Sequence, residues 1–543
     1  MATALLTRLT RSPLLGATGL LAGLTVFITW PQALHLSSQI AGHDDGLFSI
    51  WRLAWIAHAL PGGSHLFDAN IFYPHTRTLA FSDATFLEGL IAAPFLWLGL
   101  NQVLVYNLLL LTGIVTSGIG MFVLVRYLTG RVSSALIAAA VFTVAPYRIE
   151  HFMHLELQWT MWMPLSIWAL HRTFDEGTPK WGALTGVFLW LQFISCVYYG
   201  AYLCIIVAAL ALMLAAIRPR QAARAVLPLG LGAILVAALT LPYALPYIAN
   251  ARTLGPRTTG DVLSFSADWL SYATAPGPNW WWGWSGAGIE GNERHLFPGL
   301  IPPTLAILGL LRRPRQMAWL YLALMGLAVT LSFGLNGPLY RWLYTHISAF
   351  QGFRAPARFA ILAWCASSVL AGFGVEWLLR STTARTARVT LLAALLVALC
   401  VEAGSAPLPL VGQSTVVPPI YQFLKNTPPT VIIELPQLDY NPTYMFWSTY
   451  HWQSLVNGYS GYKPADSLDT LALMDTLPDD ESIQRLQELN VHFILLHQAF
   501  YRQDDYSELL AAMASRPELI PSGQYRDWVG GNTQIFELQP QRR

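Results

Sequence analysis

The sequence predicts a polytopic α-helical membrane protein of about eleven spans, carrying a small extracytoplasmic α/β domain at its C-terminus. Three observations predict it. Of 543 residues, 54% are hydrophobic and only 11% are charged, against about 25% charged in an average soluble domain. Apolar runs recur along roughly the first 400 residues, separated by short basic loops. The remaining residues lose that pattern and alternate short strands with amphipathic helices. So few charges cannot cover a soluble globule of 60.1 kDa. Ordinary cytosolic enzymes, disordered chains and nucleic-acid binders are excluded. The net charge of +2 says nothing about partners; the placement of the charges says more.

The elements follow in order. Arg8 and Arg11 precede the first apolar run, 14–34. No A-x-A cleavage site follows, so this run reads as a retained span. The later runs are 103–125, 132–146, 158–171, 181–199, 200–217, 225–248, 298–311, 316–334, 357–379 and 388–404. Short cytoplasmic loops are enriched in Lys and Arg. That rule places Arg8/Arg11, Arg126/Arg131, Arg172/Lys180, Arg218/Arg220/Arg224, Arg312/Arg313/Arg315 and Arg380/Arg385/Arg388 inside. The loops 35–102, 147–157, 249–297 and 335–356 then lie outside, with everything after about 404. The stretch 84–100 does not fit: as a span it would invert every later loop, so it reads as a re-entrant or interfacial helix. Cys196, Cys204, Cys365 and Cys400 all fall in apolar runs, where thiols are inert packing groups.

Residues 1–404 therefore form a transmembrane domain with the outside loops 35–102 and 147–157 as its chemical part, and 405–543 form the α/β domain. Within the latter, Thr430–Leu435, His492–Leu496 and Thr533–Leu538 read as strands. Tyr421–Asn426, Asp480–Leu489 and Tyr506–Ser515 read as helices.

Most His, Asp, Glu and Trp fall in the outside loops, so any chemistry belongs to that face. The first loop opens with Gly42-His43-Asp44-Asp45-Gly46 and continues as an amphipathic stretch through Trp51 and Trp55, the pattern of an interfacial helix. Adjacent carboxylates there suit cation binding or general-base work. They equally suit a helix N-cap. The second loop holds Arg148, Glu150, His151, His154 and Glu156. On a helix, Glu150 and His154 would share a face, with His151 three residues from His154. Imidazole with carboxylate makes a half-site for a divalent cation; surface histidines are the plain alternative. Arg354 and Arg358, in Phe353-Arg354-Ala355-Pro356-Ala357-Arg358-Phe359, are four apart at an outer span end. Guanidinium forks there suit phosphate, or lipid headgroups by snorkelling. Trp281 and Trp282 lie in Asn279-Trp280-Trp281-Trp282-Gly283-Trp284, which suits sugar stacking or an aromatic belt. His451 and Trp452 lie in the aromatic run 444–462, which suits an acceptor contact or a packing layer. Glu293 is a spare candidate acid.

Taken together, the acidic loop after the first span, the helix after it, the short acidic and His-bearing second loop, the Arg354–Arg358 segment and the C-terminal domain resemble the GT-C superfamily of integral-membrane glycosyltransferases, in its bacterial form. The resemblance implies transfer of a sugar from a polyprenyl-phosphate-linked donor to an extracytoplasmic saccharide or protein acceptor, with inversion. It implies that Asp45 or Asp44 holds the essential acidic role, with the lean to Asp45, and that Glu150 and Glu156 stand where a second-loop carboxylate is needed. Arg354, Arg358 and Arg148 are then the cations for the donor phosphate. A divalent cation, magnesium or manganese, is the candidate cofactor, with Asp44, His151 and His154 as its ligands. The partners implied are membrane lipid, the lipid-linked donor, the acceptor and a membrane-complex partner, in a bacterial inner membrane with the N-terminus cytoplasmic. Two other readings stand beside it. One is a transporter of a lipid-linked saccharide, which would want ionisable groups at the bilayer midplane. The other is a non-catalytic scaffold that keeps the fold without the chemistry.

Overall fold

The structure is a computed structural model that describes residues 13–42, 44–63, 65–437 and 440–540. Arg8, Arg11 and His43 lie outside the described residues. The chain divides into two compact units. The first takes the chain up to Leu36, Asn107–Leu245 and Gly255–Pro409. The second takes Ser37–Tyr106, Pro246–Leu254 and Leu410–Arg543. The first outside loop thus belongs with the C-terminal segment rather than with residues 1–404. Strand β1 (Gln39–Ala41) pairs antiparallel with β2 (Leu410–Gly412), which ties the two stretches together.

Each predicted apolar run contains a helix. Six helices among the described residues are long and apolar enough to cross a membrane: Gln102–Thr129, Val132–Glu150, Val197–Ile217, Pro219–Leu254, Pro356–Ser381 and Arg385–Ala403. The others, Pro13–Ile28, Trp162–Glu176, Pro179–Ser195, Ile301–Gly309 and Gln316–Ser332, have 16, 15, 17, 9 and 17 residues, against about 20 for an untilted span. The run predicted from 158 starts its helix only at Trp162. Gln158 and Thr160 are drawn into the preceding loop instead, by hydrogen bonds to its backbone and to Arg148.

Glycine lets helices in the first unit approach closely. Gly182 and Gly186, one turn apart on Pro179–Ser195, face Pro228 and Gly232 of Pro219–Leu254, and a Cβ on either would overlap a backbone carbonyl. This is the small-residue contact by which membrane helices pack without a hydrophobic driving force.

The stretch 84–100 forms the helix Phe86–Trp97, interrupted by Pro94. Its 12 residues give about 18 Å, well short of a ~30 Å hydrocarbon core. Leu90, Phe95, Trp97 and Leu98 are exposed along it.

In the second unit a five-stranded sheet runs in the order β4-β3-β5-β7-β6. The strands are β3 (Val431–Leu435), β4 (Ser454–Leu455), β5 (Val491–His497), β6 (Leu519–Arg526) and β7 (Asn532–Leu538). β3 is parallel to β4 and β5, and β7 is antiparallel to both its neighbours, β5 and β6. β3 and β5 read as continuous apolar runs because both faces are covered. Ile433, Leu435, Ile494, Leu496 and Phe536 pack with Leu486 and Met513 of the flanking helices. β3, β5 and β7 match the predicted strands. β6 carries Pro521 and Gly523 and is mostly exposed; an edge strand needs no apolar alternation, so it left no signal.

At the sheet's heart sits a charged network. His497 on β5 bonds Glu434 on β3 at 2.9 Å and Asp527 at 2.7 Å. Tyr421 donates to the same Glu434 oxygen at 2.7 Å, and Thr533 on β7 donates to Asp527 at 2.9 Å. Burial works against the His497 charge, but the two carboxylates overrule it and push its pKa up to about 9.

Candidate active site

The acidic pair begins the helix Asp44–Ala59, where both carboxylates lie in the first turn. The positive end of the helix dipole favours anions there. Gly46 sits at a close approach: a Cβ would meet the Ile40 side chain at 3.2 Å and the Ala41 carbonyl at 3.4 Å. β1 is thereby pressed against the helix start. Asp45 is half-buried and accepts a hydrogen bond from the Tyr459 hydroxyl at 3.0 Å. The Tyr459 ring packs edge-on against Phe48 at 5.6 Å. Tyr459 is 414 residues away in the sequence, and no local signal marks it as the partner.

The helix is not the surface element its amphipathic pattern predicts. Gly46–Ala57 are all buried. Its buried Arg52 pairs internally: it donates to the Asp83 carbonyl at 2.5 Å and to Ser49 at 2.8 Å, and its guanidinium lies over Phe48. The pattern misleads because buried polar groups that pair with one another look, in sequence, like a solvated face.

In the first unit the second loop does not form one helix. Pro146–Glu150 ends, residues 151–154 turn, and Leu155–Gln158 begins a new short helix. Glu150 and His154 therefore do not share a helix face. Glu150 instead bonds His295 at 2.8 Å, and that bond holds the His295 pKa above its ordinary value. Glu293 lies deeply buried with Arg358 at 2.6 Å and His151 at 3.7 Å. Burial alone would raise the Glu293 carboxyl; the Arg358 and His151 charges overrule it and hold it below the usual range. One loop, Gly291–His295, thus supplies both partners of the second outside loop. The sequence marks Glu293 only as a spare acid and gives no signal for His295, because both pairings form across 65 residues or more. Glu156 is buried, 4% exposed.

The three candidate cations divide. Arg148 is 1% exposed and donates to the Phe142 and Gln158 carbonyls and to Thr160. It is a brace between the helix end and the loop, which corrects its assignment to the donor phosphate. Arg358 is the buried ion-pair partner of Glu293. Arg354 is half-buried, its guanidinium over the Phe265 ring at 4.5 Å and its backbone N–H bonded to the Tyr198 hydroxyl. Among the described residues no carboxylate lies in ion-pair range of it. The two Arg do not share a helix face either. Pro356–Phe359 is a single 3-10 turn, and Arg354 precedes it.

Of the stacking candidates, Trp281 is exposed, and Trp282 packs edge-on against Phe297 at 5.4 Å. His451 is a core residue, stacked on Tyr421 at 5.6 Å with its Nδ1 accepting from the Gln453 N–H. Burial lowers its pKa to about 3, so the assignment as an acceptor contact is corrected. Trp452 sits beside His58 at a cavity wall. Among the described residues no group of three or more His, Cys, Asp or Glu could hold a metal ion. At Glu293 the guanidinium already supplies the positive charge. The buried Glu293 pair therefore does not fit a divalent cation. The described cysteines are all free thiols.

These features define a class: a multi-span helical scaffold with an acidic first-loop helix and a C-terminal α/β sheet. No family model matches the sequence, and no curated protein does. Solved structures do match. Archaeal oligosaccharyltransferase AglB from Archaeoglobus fulgidus, in complex with an inhibitory peptide and a dolichol-phosphate, is 13% identical at a TM-score of 0.50, covering 97% of this chain and 74% of that one. The arabinofuranosyltransferase AftD from Mycobacteria is 15% identical at a TM-score of 0.57, covering 96% and 41%. ArnT from Cupriavidus metallidurans bound to undecaprenyl phosphate is 13% identical at 0.50, covering 96% and 97%. The chain shares its fold with these solved structures.

Proposed function

We propose that this protein is a membrane glycosyltransferase that moves a sugar from a polyprenyl-phosphate-linked donor to an extracytoplasmic acceptor, with inversion and with Asp45 as base. The observation that carries the reading is the half-buried Asp45 carboxylate in the first turn of a buried helix, fixed by Tyr459. Supporting it is the fold, shared with proteins whose structures hold dolichol-phosphate or undecaprenyl phosphate. The acceptor hydroxyl oxygen bonds to the anomeric carbon, and its proton passes to the Asp45 carboxylate. The bond from that carbon to the phosphate oxygen breaks, and the electron pair leaves with the polyprenyl phosphate. We assign Arg354 to the donor phosphate, because it is only half-buried and no carboxylate pairs with it, whereas Arg358 is paired with Glu293 and Arg148 spends its donors on carbonyls and Thr160. Arg358 acts through Glu293 as a positioning residue.

A transporter reading is disfavoured by Glu376, whose carboxylate is neutralised by Arg312 and Arg380, each at 2.6 Å. The test is transfer by the purified full chain supplied with polyprenyl-phosphate sugars, wild type against Asp44→Asn and Asp45→Asn. Turnover lost with Asp45→Asn in folded protein supports the reading. Folded wild type that neither binds nor turns over any such donor would replace it with the scaffold reading.

A further inference from the structure

The second unit contains a cavity of about 640 Å³ that the proposed transfer chemistry does not use. This is within the roughly 300–1,000 Å³ of small-molecule sites. It lies at the far end of the helix that Asp45 begins: His58 on its wall is 13 positions beyond Asp45, or about 20 Å along the axis.

The wall has a particular chemistry. Trp97 donates its indole N–H to the Ala57 carbonyl at 2.9 Å, which fixes the ring plane while leaving the residue 59% exposed. Trp452 is held with φ at 55°, a conformation that non-glycine residues rarely adopt and that persists only where the surroundings enforce it. Here His58 stacks on the indole at 4.3 Å and 16°, and Trp55 packs edge-on at 5.6 Å. On the same wall Gln102 donates an amide N–H to the Thr449 hydroxyl at 3.1 Å, and Thr449 gives its own proton to the Phe446 carbonyl at 2.7 Å. That leaves the Gln102 amide one further proton and its carbonyl oxygen. Tyr450 adds a phenol to the same wall. No Lys, Arg, Asp or Glu is among the described residues that line the cavity. Burial lowers the pKa of His58 and so favours its neutral form.

We propose that this cavity is a binding site for a neutral saccharide. A phosphate or an acidic sugar would want a cation, and the wall offers none. A lipid tail would leave the amide and hydroxyls unpaired. A pyranose or furanose ring presents C–H groups to a fixed aromatic face and hydroxyls to an amide, which is what these residues provide. The site holds saccharide away from Asp45, and so goes beyond the transfer step.

The test is binding without any lipid-linked donor, so that its outcome is independent of transfer. The full chain, in phosphatidylcholine nanodiscs free of glycoside detergent, is applied to a printed array of neutral and acidic glycans. Affinity for the strongest neutral ligand is then measured for Trp97→Leu, Gln102→Leu and Trp97→Phe. Binding of neutral glycans, weakened about ten-fold or more by either leucine variant and retained by Trp97→Phe, is the expected result. Unchanged melting shows that the variants are folded, and Gln102→Leu serves alone should Trp97→Leu fail to fold. Binding of no neutral glycan, preference for acidic ones, or affinity indifferent to both leucine variants would overturn the proposal. So would phospholipid that native mass spectrometry finds retained by wild type and lost with Trp97→Leu.

Discussion

Asp45 and Tyr459 form a pair whose worth is testable one atom at a time. Asp45→Asn keeps the size and the first-turn geometry and removes the proton acceptor, so transfer should fall by roughly 10²–10⁴. Tyr459→Phe deletes the hydroxyl that bonds the Asp45 carboxylate, a hydrogen bond to a charged group worth about 1.5–3 kcal/mol. Transfer should then drop roughly ten-fold or more in kcat/KM, with a loss of stability no larger than that bond is worth. The arginines should separate in the opposite sense. Arg354→Ala should raise the KM for the polyprenyl-phosphate donor and leave melting nearly untouched. Arg358→Ala strands Glu293 as a buried carboxylate without its partner, a loss of about 3–5 kcal/mol of stability. Melting measured beside donor kinetics distinguishes the two. A donor KM unaltered by Arg354→Ala removes that residue from the phosphate assignment. Loop placement singled out the Asp44–Asp45 pair in the sequence, but not Tyr459 as a partner of Asp45, because hydrogen bonding across 414 residues is a property of the folded backbone.

At the scale of elements, the crossing of Pro179–Ser195 with Pro219–Leu254 depends on absent side chains. Gly182→Leu should force the helices apart and lower thermal stability by about 1–3 kcal/mol. Gly16→Leu, where a Cβ has open space around it, should not. Equal losses from both would show that the close approach is not what holds the pair. The helix periods were legible because apolar runs interrupted by basic loops have one physical solution. Their ends were not. The 158–171 run lost its first turn to Arg148, and the Glu150–His154 stretch broke into two pieces. Side-chain hydrogen bonds to backbone can outcompete the helix ladder locally.

At the scale of the whole molecule, the His497 network couples stability to pH. His497 has its pKa raised from 6.5 to about 9 by Asp527 and Glu434 against the pull of burial. A group whose folded pKa exceeds its unfolded one stabilises fully below the unfolded value, and that contribution is lost as pH rises through the folded value. Burial likewise raises Glu434, which acts in the same direction. Thermal stability of the full chain should therefore decline between about pH 6.5 and pH 9. Trp528, 5.1 Å from His497, offers near-UV dichroism as a local reporter. Asp527→Asn should flatten that decline, and an unaltered slope in the variant would mean another group titrates there.

What the sequence determined by itself was the class of molecule: too few charges for a soluble surface, apolar runs of spanning period, and β3, β5 and β7 as apolar strands. These follow from composition and periodicity, which act residue by residue and survive without a fold. The tertiary structure decided the partnerships: Tyr459 with Asp45, the loop Gly291–His295 with the second outside loop, the first loop with the C-terminal sheet, and Arg148 as brace rather than ligand. Each joins groups far apart along the chain. Only burial, which makes an unpaired charge or donor costly, selects one such pairing among the many that the sequence allows.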